Sequence, residues 1–288
     1  MVIKVIESIL NPRRSERRPW EMLFVGFIYS SLSVLLVTWI FSRDIALAKY
    51  SGIFIVTFTV MFCMPFFYYM LKLEEEKDIR ISGVINLLEE HGKAVHSLLW
   101  MFVGFIIGFS VFYILIGSPE NFRAQIETFC IINNPDNYNS CITQHGLNGA
   151  VTGLTGSGVK LFGGIFSNNL YVLMFTIIFS ILFGAGGIFI LAWNATVISA
   201  AVVLFANSDL LKLPLALSRY LIHGIPEIAA YFIGTLAGGI LGLSIIRKEF
   251  RTEKFWGILQ DCLLLIIIAI IILIIAAGIE VFITPRIF

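Results

Sequence analysis

Charge is what this sequence is short of. Asp, Glu, Lys and Arg make up 14% of its 288 residues, against about 25% in soluble globular domains. Between Lys160 and Asp209 a run of 48 residues carries no charge at all. With 58% of its residues hydrophobic, the chain holds more apolar surface than one soluble core of this size can hide. That excludes a water-soluble globular protein and points to an integral membrane protein.

Other shortages exclude particular functions. A net charge of only +1 argues against a polyanion-binding surface, so no nucleic-acid partner is expected. His91, His96, His145 and His223 are scattered along the chain and show no ligand spacing, so neither a metal nor a cofactor is expected. There is no HExxH, no GxSxG, no phosphate-binding P-loop and no pair of intramembrane aspartates, which removes the common hydrolase and ATPase signatures. The N-terminus has no small-residue cleavage site after a short apolar core, so no removable signal peptide is read there.

A bilayer core about 30 Å thick needs roughly 20 apolar residues per helix. Six spans of that kind are plain: Met22–Phe41, Ser51–Leu71, Leu98–Gly117, Trp193–Ala206 extended backwards, Pro226–Ile246 and Cys262–Ile283. The 48-residue charge-free run is too long for one helix and must hold two. Its break is expected at Gly184–Gly187, where glycine disfavours helix and supplies turn geometry. The predicted fold is therefore an all-α polytopic transmembrane bundle of seven spans.

Thirteen of the twenty Lys and Arg residues fall in 1–21, 72–97 and 247–261. The excess of basic residues on the cytoplasmic side then predicts a cytoplasmic N-terminus and a C-terminus outside. Along the chain this gives a basic N-terminal segment, 1–21, and three spans over 22–117 with a cytoplasmic connector at 72–97. An extracytoplasmic cap follows at 118–169, then helices 4 to 6 at 170–246, and a basic loop with the last span at 247–288. In the first segment Val2, Val5, Ile6, Ile9 and Leu10 have helical spacing, as in a helix lying on the leaflet. The connector is expected to form an interfacial helix. Cys63 and Cys262 sit within spans as buried thiols, while Cys130 and Cys141 face an oxidising compartment and are expected to bridge.

The polar residues inside apolar runs are the candidate site. Pro226 suits the first turn of a helix, which would place Glu227 among unpaired backbone N–H groups at the positive end of the helix dipole. At 100° per residue Gly234, Gly238 and Gly242 fall about 20° before, 20° after and 60° after Glu227. Such a stripe allows close helix approach in lipid and points the carboxylate into the bundle. Asn168, Asn169, His223 and Glu227 share a level near the outer interface and are read as one polar cluster. Asn194, near the other end of its span, is a secondary polar contact.

The order "GGIFSNNLYVLMFTIIFSILFGAGGIFILAWNATVISAAVV" followed by "HGIPEIAAYFIGTLAGGILG" resembles the stage II sporulation protein M family over roughly 160–246. The resemblance rests on Asn168, Asn169, Asn194, His223, Gly224 and Glu227; Ala195 stands where the family often has glycine. It implies a membrane partner of envelope-remodelling proteins. The function expected is a scaffold or partner-binding subunit of an envelope-associated complex in the cell membrane. Its expected contacts are membrane lipids, a membrane or envelope protein, and further copies of itself. The alternative is a transporter or channel component holding an ion, proton or small polar solute at the Glu227, His223 and asparagine cluster. No nucleophile accompanies His223 and Glu227, so enzymatic chemistry is not expected.

Overall fold

The structure is a computed structural model and describes residues 11–41, 45–78, 84–116, 119–133, 138–144, 158–184, 186–206, 209–247 and 252–287. The expected leaflet helix at Val2–Leu10, His145, Lys248 and Arg251 lie outside the described residues. Among the described residues every regular element is helical, and seven helices are long and apolar enough to cross a membrane.

A short helix α1 (Pro12–Arg17) begins at an Asn11 cap whose side chain accepts from the Arg13 N–H. The first two spans are α2 (Glu21–Phe41) and α3 (Ser51–Asp78), and the third is α4 (Val84–Ile116). Neither α3 nor α4 stops at the apolar boundary, and the 72–97 connector consists largely of their two ends. Its expected interfacial helix is thus the continuation of two spans. Beyond α4 come a 3-10 turn (Pro119–Phe122), α5 (Arg123–Asn133) and α6 (Tyr138–Gln144). The last four spans are α7 (Gly158–Phe183), α8 (Gly187–Phe205), α9 (Leu213–Ile246) and α10 (Glu253–Gly278), the last continuing through a π turn at Ile279–Ile283 into α11 (Thr284–Ile287).

The break between α7 and α8 falls where the sequence places it. Gly184 has φ +66°, a left-handed conformation that costs other residues energy and glycine almost nothing.

α9 departs from expectation. It starts at Leu213, not Pro226, and runs 34 residues with Pro226 in its interior. The proline removes one backbone donor and crowds the preceding turn, yet packing on several sides holds the helix through it. α9 is the most enclosed of the seven, with 72% of its apolar window buried, and it lies against α7, α8, α10 and α4.

Close packing of spans uses small residues in two places. A Cβ on Gly238 would sit 2.7 Å from the Ile177 carbonyl oxygen of α7, and one on Gly242 would sit 2.5 Å from that of Ile181. Between α2 and α4 a second set does the same: a Cβ on Gly26 would collide with the Met101 carbonyl, and one on Gly104 with that of Leu23. In lipid, where apolar surface alone does not drive helix association, such backbone approach supplies dispersion contacts.

The elements between α4 and α7 form a packed cap. Cys130 and Cys141 are joined by a disulfide, and Phe122, Ile126, Tyr138 and Ile142 are buried around it. Phe122 stacks on Tyr113 of α4 with ring centroids 4.6 Å apart. Asn121 Nδ2 donates to Thr38 Oγ1 of α2 at 3.1 Å, and Gln125 Nε2 donates to the Gly52 carbonyl of α3 at 3.1 Å. Residues 158–169, assigned to this segment from sequence, are already the start of α7.

Candidate functional site

Glu227 lies fourteen residues inside α9, about 20 Å along its axis at 1.5 Å per residue. The first-turn reading of its environment is therefore corrected: in mid-helix the neighbouring N–H groups are already engaged, and the dipole's positive end is several turns away. Something else must satisfy the carboxyl, and that is a side chain from another span. Asn169 of α7, buried, donates through Nδ2 to Glu227 Oε1 at 2.6 Å. Its neighbour Asn168, 100° further round the helix, is exposed and does not join it.

A second carboxyl stands beside the first. Glu280, in the π turn that ends α10, is an electrostatic neighbour of Glu227. π turns inside helices are frequent at functional sites, because the extra residue redirects side chains. One turn before Glu227, His223 turns toward the end of α10, its Nδ1 3.4 Å from Thr284 Oγ1. One turn after it, Tyr231 is buried. The structure thus brings Asn169, Glu227 and Glu280 together from three spans, with His223 and Thr284 adjoining. Gly234, Gly238 and Gly242 continue the same seam of α9 against α7.

The sequence pattern of stage II sporulation protein M matches residues 97–285, from within α4 to the π turn and Thr284. The chain belongs to the stage II sporulation protein M family. No curated protein and no solved structure matches it. The family match extends well beyond the 160–246 stretch that carries the resemblance in sequence. It takes in the cap, all of α7 to α9 and Glu280, so every member of the cluster falls inside the family region.

Asn194, another residue of the family-like stretch, stays apart. Its Nδ2 donates to the Ile190 carbonyl one turn back in its own helix at 2.8 Å. Polar ties from α8 to other spans are made instead by Ser199, whose Oγ donates to the Ile106 carbonyl of α4 at 3.2 Å, and by the Gly187 N–H, which donates to Ser180 Oγ of α7 at 3.1 Å.

A second polar assembly, at the opposite end of the bundle, was not foreseen. Glu74 and Glu75 of α3 are both fully buried. Glu74 accepts from Lys77 Nζ at 2.8 Å and lies 2.7 Å from His91 Nδ1 of α4. Lys77 reaches Glu16 of α1 at 2.5 Å, and Glu75 pairs with Arg247 at the end of α9, also at 2.5 Å. The assembly therefore ties together α1, α3, α4 and α9. Burial beside Glu74 pushes the Glu16 carboxyl up to about 7, although Lys77 pulls it down. Among the described residues no group of three or more His, Cys, Asp or Glu side chains is placed to hold a metal ion.

One of the two omissions had a signal. Glu280 is the only charged residue between Cys262 and Pro285, and an intramembrane carboxylate is a functional candidate by the same rule that singled out Glu227. The buried pair in "KLEEEKD" had none, because a charge run at a span boundary ordinarily means a solvated face.

Proposed function

We propose that this membrane protein is a scaffold, a partner-binding subunit of an envelope-associated complex in the cell membrane. Its N-terminus is on the cytoplasmic side and its cap faces outward. The observation that carries this reading is the construction of the cap. It is stapled by the Cys130–Cys141 bond and fixed by Asn121 and Gln125 to two spans. A surface held this way is preorganised, and a partner that docks on it loses little free energy in ordering it. The polar cluster of α7, α9 and α10 then acts as an internal lock that keeps the spans below the cap in register.

The test is affinity purification from native membranes, with bound proteins and small molecules identified, on the wild type and on C130S/C141S. A protein partner that is recovered with the wild type and lost with the variant supports the scaffold. A partner recovered equally with both removes the cap from the account.

A second reading has its own observation. Two neighbouring carboxyls in membrane-spanning helices, one of them bonded to Asn169, form a group able to bind a proton or a small cation. In reconstituted vesicles this reading expects proton or monovalent-cation flux that E227Q and E280Q each abolish without unfolding the protein. Equal flux in wild type and both variants eliminates it.

A further inference from the structure

Where α1 meets the ends of α3 and α4, most charges are matched. Glu21 accepts from Arg14 Nε at 2.8 Å and from Arg18 Nη1 at 3.4 Å. Lys77 lies between Glu16 at 2.5 Å and Glu74 at 2.8 Å, and Lys93 pairs with Glu90. Two guanidiniums of α1 take no part in these pairs. Arg13 and Arg17 stand four residues apart on one face of α1, exposed and without an ion-pair partner among the described residues.

They line an open cleft of about 540 Å3 shared with Asn11, Arg14 and Arg18. They also border an adjoining cleft of about 380 Å3 lined by Leu73 and by the paired charges Glu16, Lys77, Glu90 and Lys93. The position of these clefts along the chain indicates what can fill them. Three residues after Arg17, Trp20 is 53% exposed and meets Phe24 edge-to-face at 5.9 Å, the arrangement of an aromatic side chain at a membrane–water boundary. From there Phe24, Ile28, Leu32 and Leu35 continue as an exposed apolar stripe down α2. Along the chain Arg13 and Arg17 thus stand just ahead of the boundary tryptophan, and the span that follows it exposes the apolar stripe.

We propose that Arg13 and Arg17 bind the phosphate of an acidic phospholipid headgroup, with its acyl chains lying along the Phe24–Leu35 stripe. A guanidinium presents two parallel donors that match two phosphate oxygens, and two of them four residues apart can grip one group from both sides. A soluble phosphate would satisfy the arginines equally but would leave the stripe unused.

The experiment is lipid retention by the purified, delipidated full chain, measured by native mass spectrometry after titration with phosphatidylglycerol or phosphatidylcholine in mixed micelles. The wild type is expected to prefer phosphatidylglycerol. R13Q/R17Q is expected to lower that affinity by roughly 30-fold, from about fivefold per basic residue near a surface, and to leave phosphatidylcholine unchanged. R123Q, in the cap, is expected to change neither. Should the double variant aggregate, R13Q and R17Q singly decide the matter, each with about a fivefold loss. Phosphatidylglycerol binding that survives these substitutions overturns the proposal. So does displacement of the lipid by millimolar inorganic phosphate acting at the same two arginines, which would make the ligand a soluble phosphate.

Discussion

The contact between Asn169 and Glu227 can be weighed by a double-mutant cycle. Asn169→Ala deletes the donor that faces Glu227 Oε1 at 2.6 Å and leaves a largely enclosed carboxyl short of a partner. Hydrogen bonds to charged groups are worth about 1.5–3 kcal/mol and neutral ones about 0.5–1.5, so the single substitution is expected to cost about 1–3 kcal/mol. In a Glu227→Ala background Asn169 has lost its acceptor, and removing it should then cost close to nothing. The coupling between the two substitutions should therefore be at least about 1 kcal/mol, well above the 0.3–0.5 kcal/mol scatter of independent sites. Thermal unfolding in a single detergent at a fixed scan rate reads this as an apparent midpoint, with roughly 2–4 °C per kcal/mol. Costs that simply add would refute the claim that this bond locks α7 to α9, and Asn168→Ala, at an exposed position, provides the silent control.

Three further outcomes follow from the same structure. Single cysteines introduced into a cysteine-free background should label from outside at Asn139 in the cap and from the cytoplasm at Thr252, and the reverse pattern would invert the topology. Gly238→Ala places a methyl 2.7 Å from the backbone oxygen of Ile177, so the helices must part; a loss of about 1–3 kcal/mol is expected, whereas Gly163→Ala, with open space around it, should be neutral or stabilising, and equal effects at the two sites would contradict the seam. Burial beside Glu74 pushes the Glu16 carboxyl from 4.5 up to about 7, so its contribution to docking α1 is fully present below about pH 4.5 and is lost as pH rises through 7; protection factors over 13–17, which divide out the base-catalysed rise of intrinsic amide exchange, should be larger at pH 5 than at pH 8, and larger values at pH 8 would mean that Lys77 outweighs burial.

Much of the fold was legible because the bilayer imposes a length. Charge-free runs mark spans, and one glycine at φ +66° divides the only run too long for a single helix. The cluster was legible in part: Asn169 and Glu227 stand out as polar residues in apolar runs, and the glycine stripe that turns Glu227 into the bundle faces α7. What the local pattern could not give is where α9 begins. Pro226 looks like a start because a proline favours that position, but a proline is also tolerated inside a helix that its neighbours enclose. Nor could it give the partners of buried charges. Glu74 and His91 are 17 residues apart in sequence and Glu16 and Lys77 are 61 apart, so their pairing depends on how four helices converge, which no single segment encodes.

The central claim, that the cap is a docking face for an envelope partner, is tested most directly by photo-crosslinking in living cells. A crosslinking residue at Ile131, 51% exposed on α5, is compared with one at Ile271, equally exposed on the apolar flank of α10. The account expects a discrete protein adduct from position 131 that is absent from position 271. Lipid adducts alone at 131, or the same adducts from both positions, would contradict it.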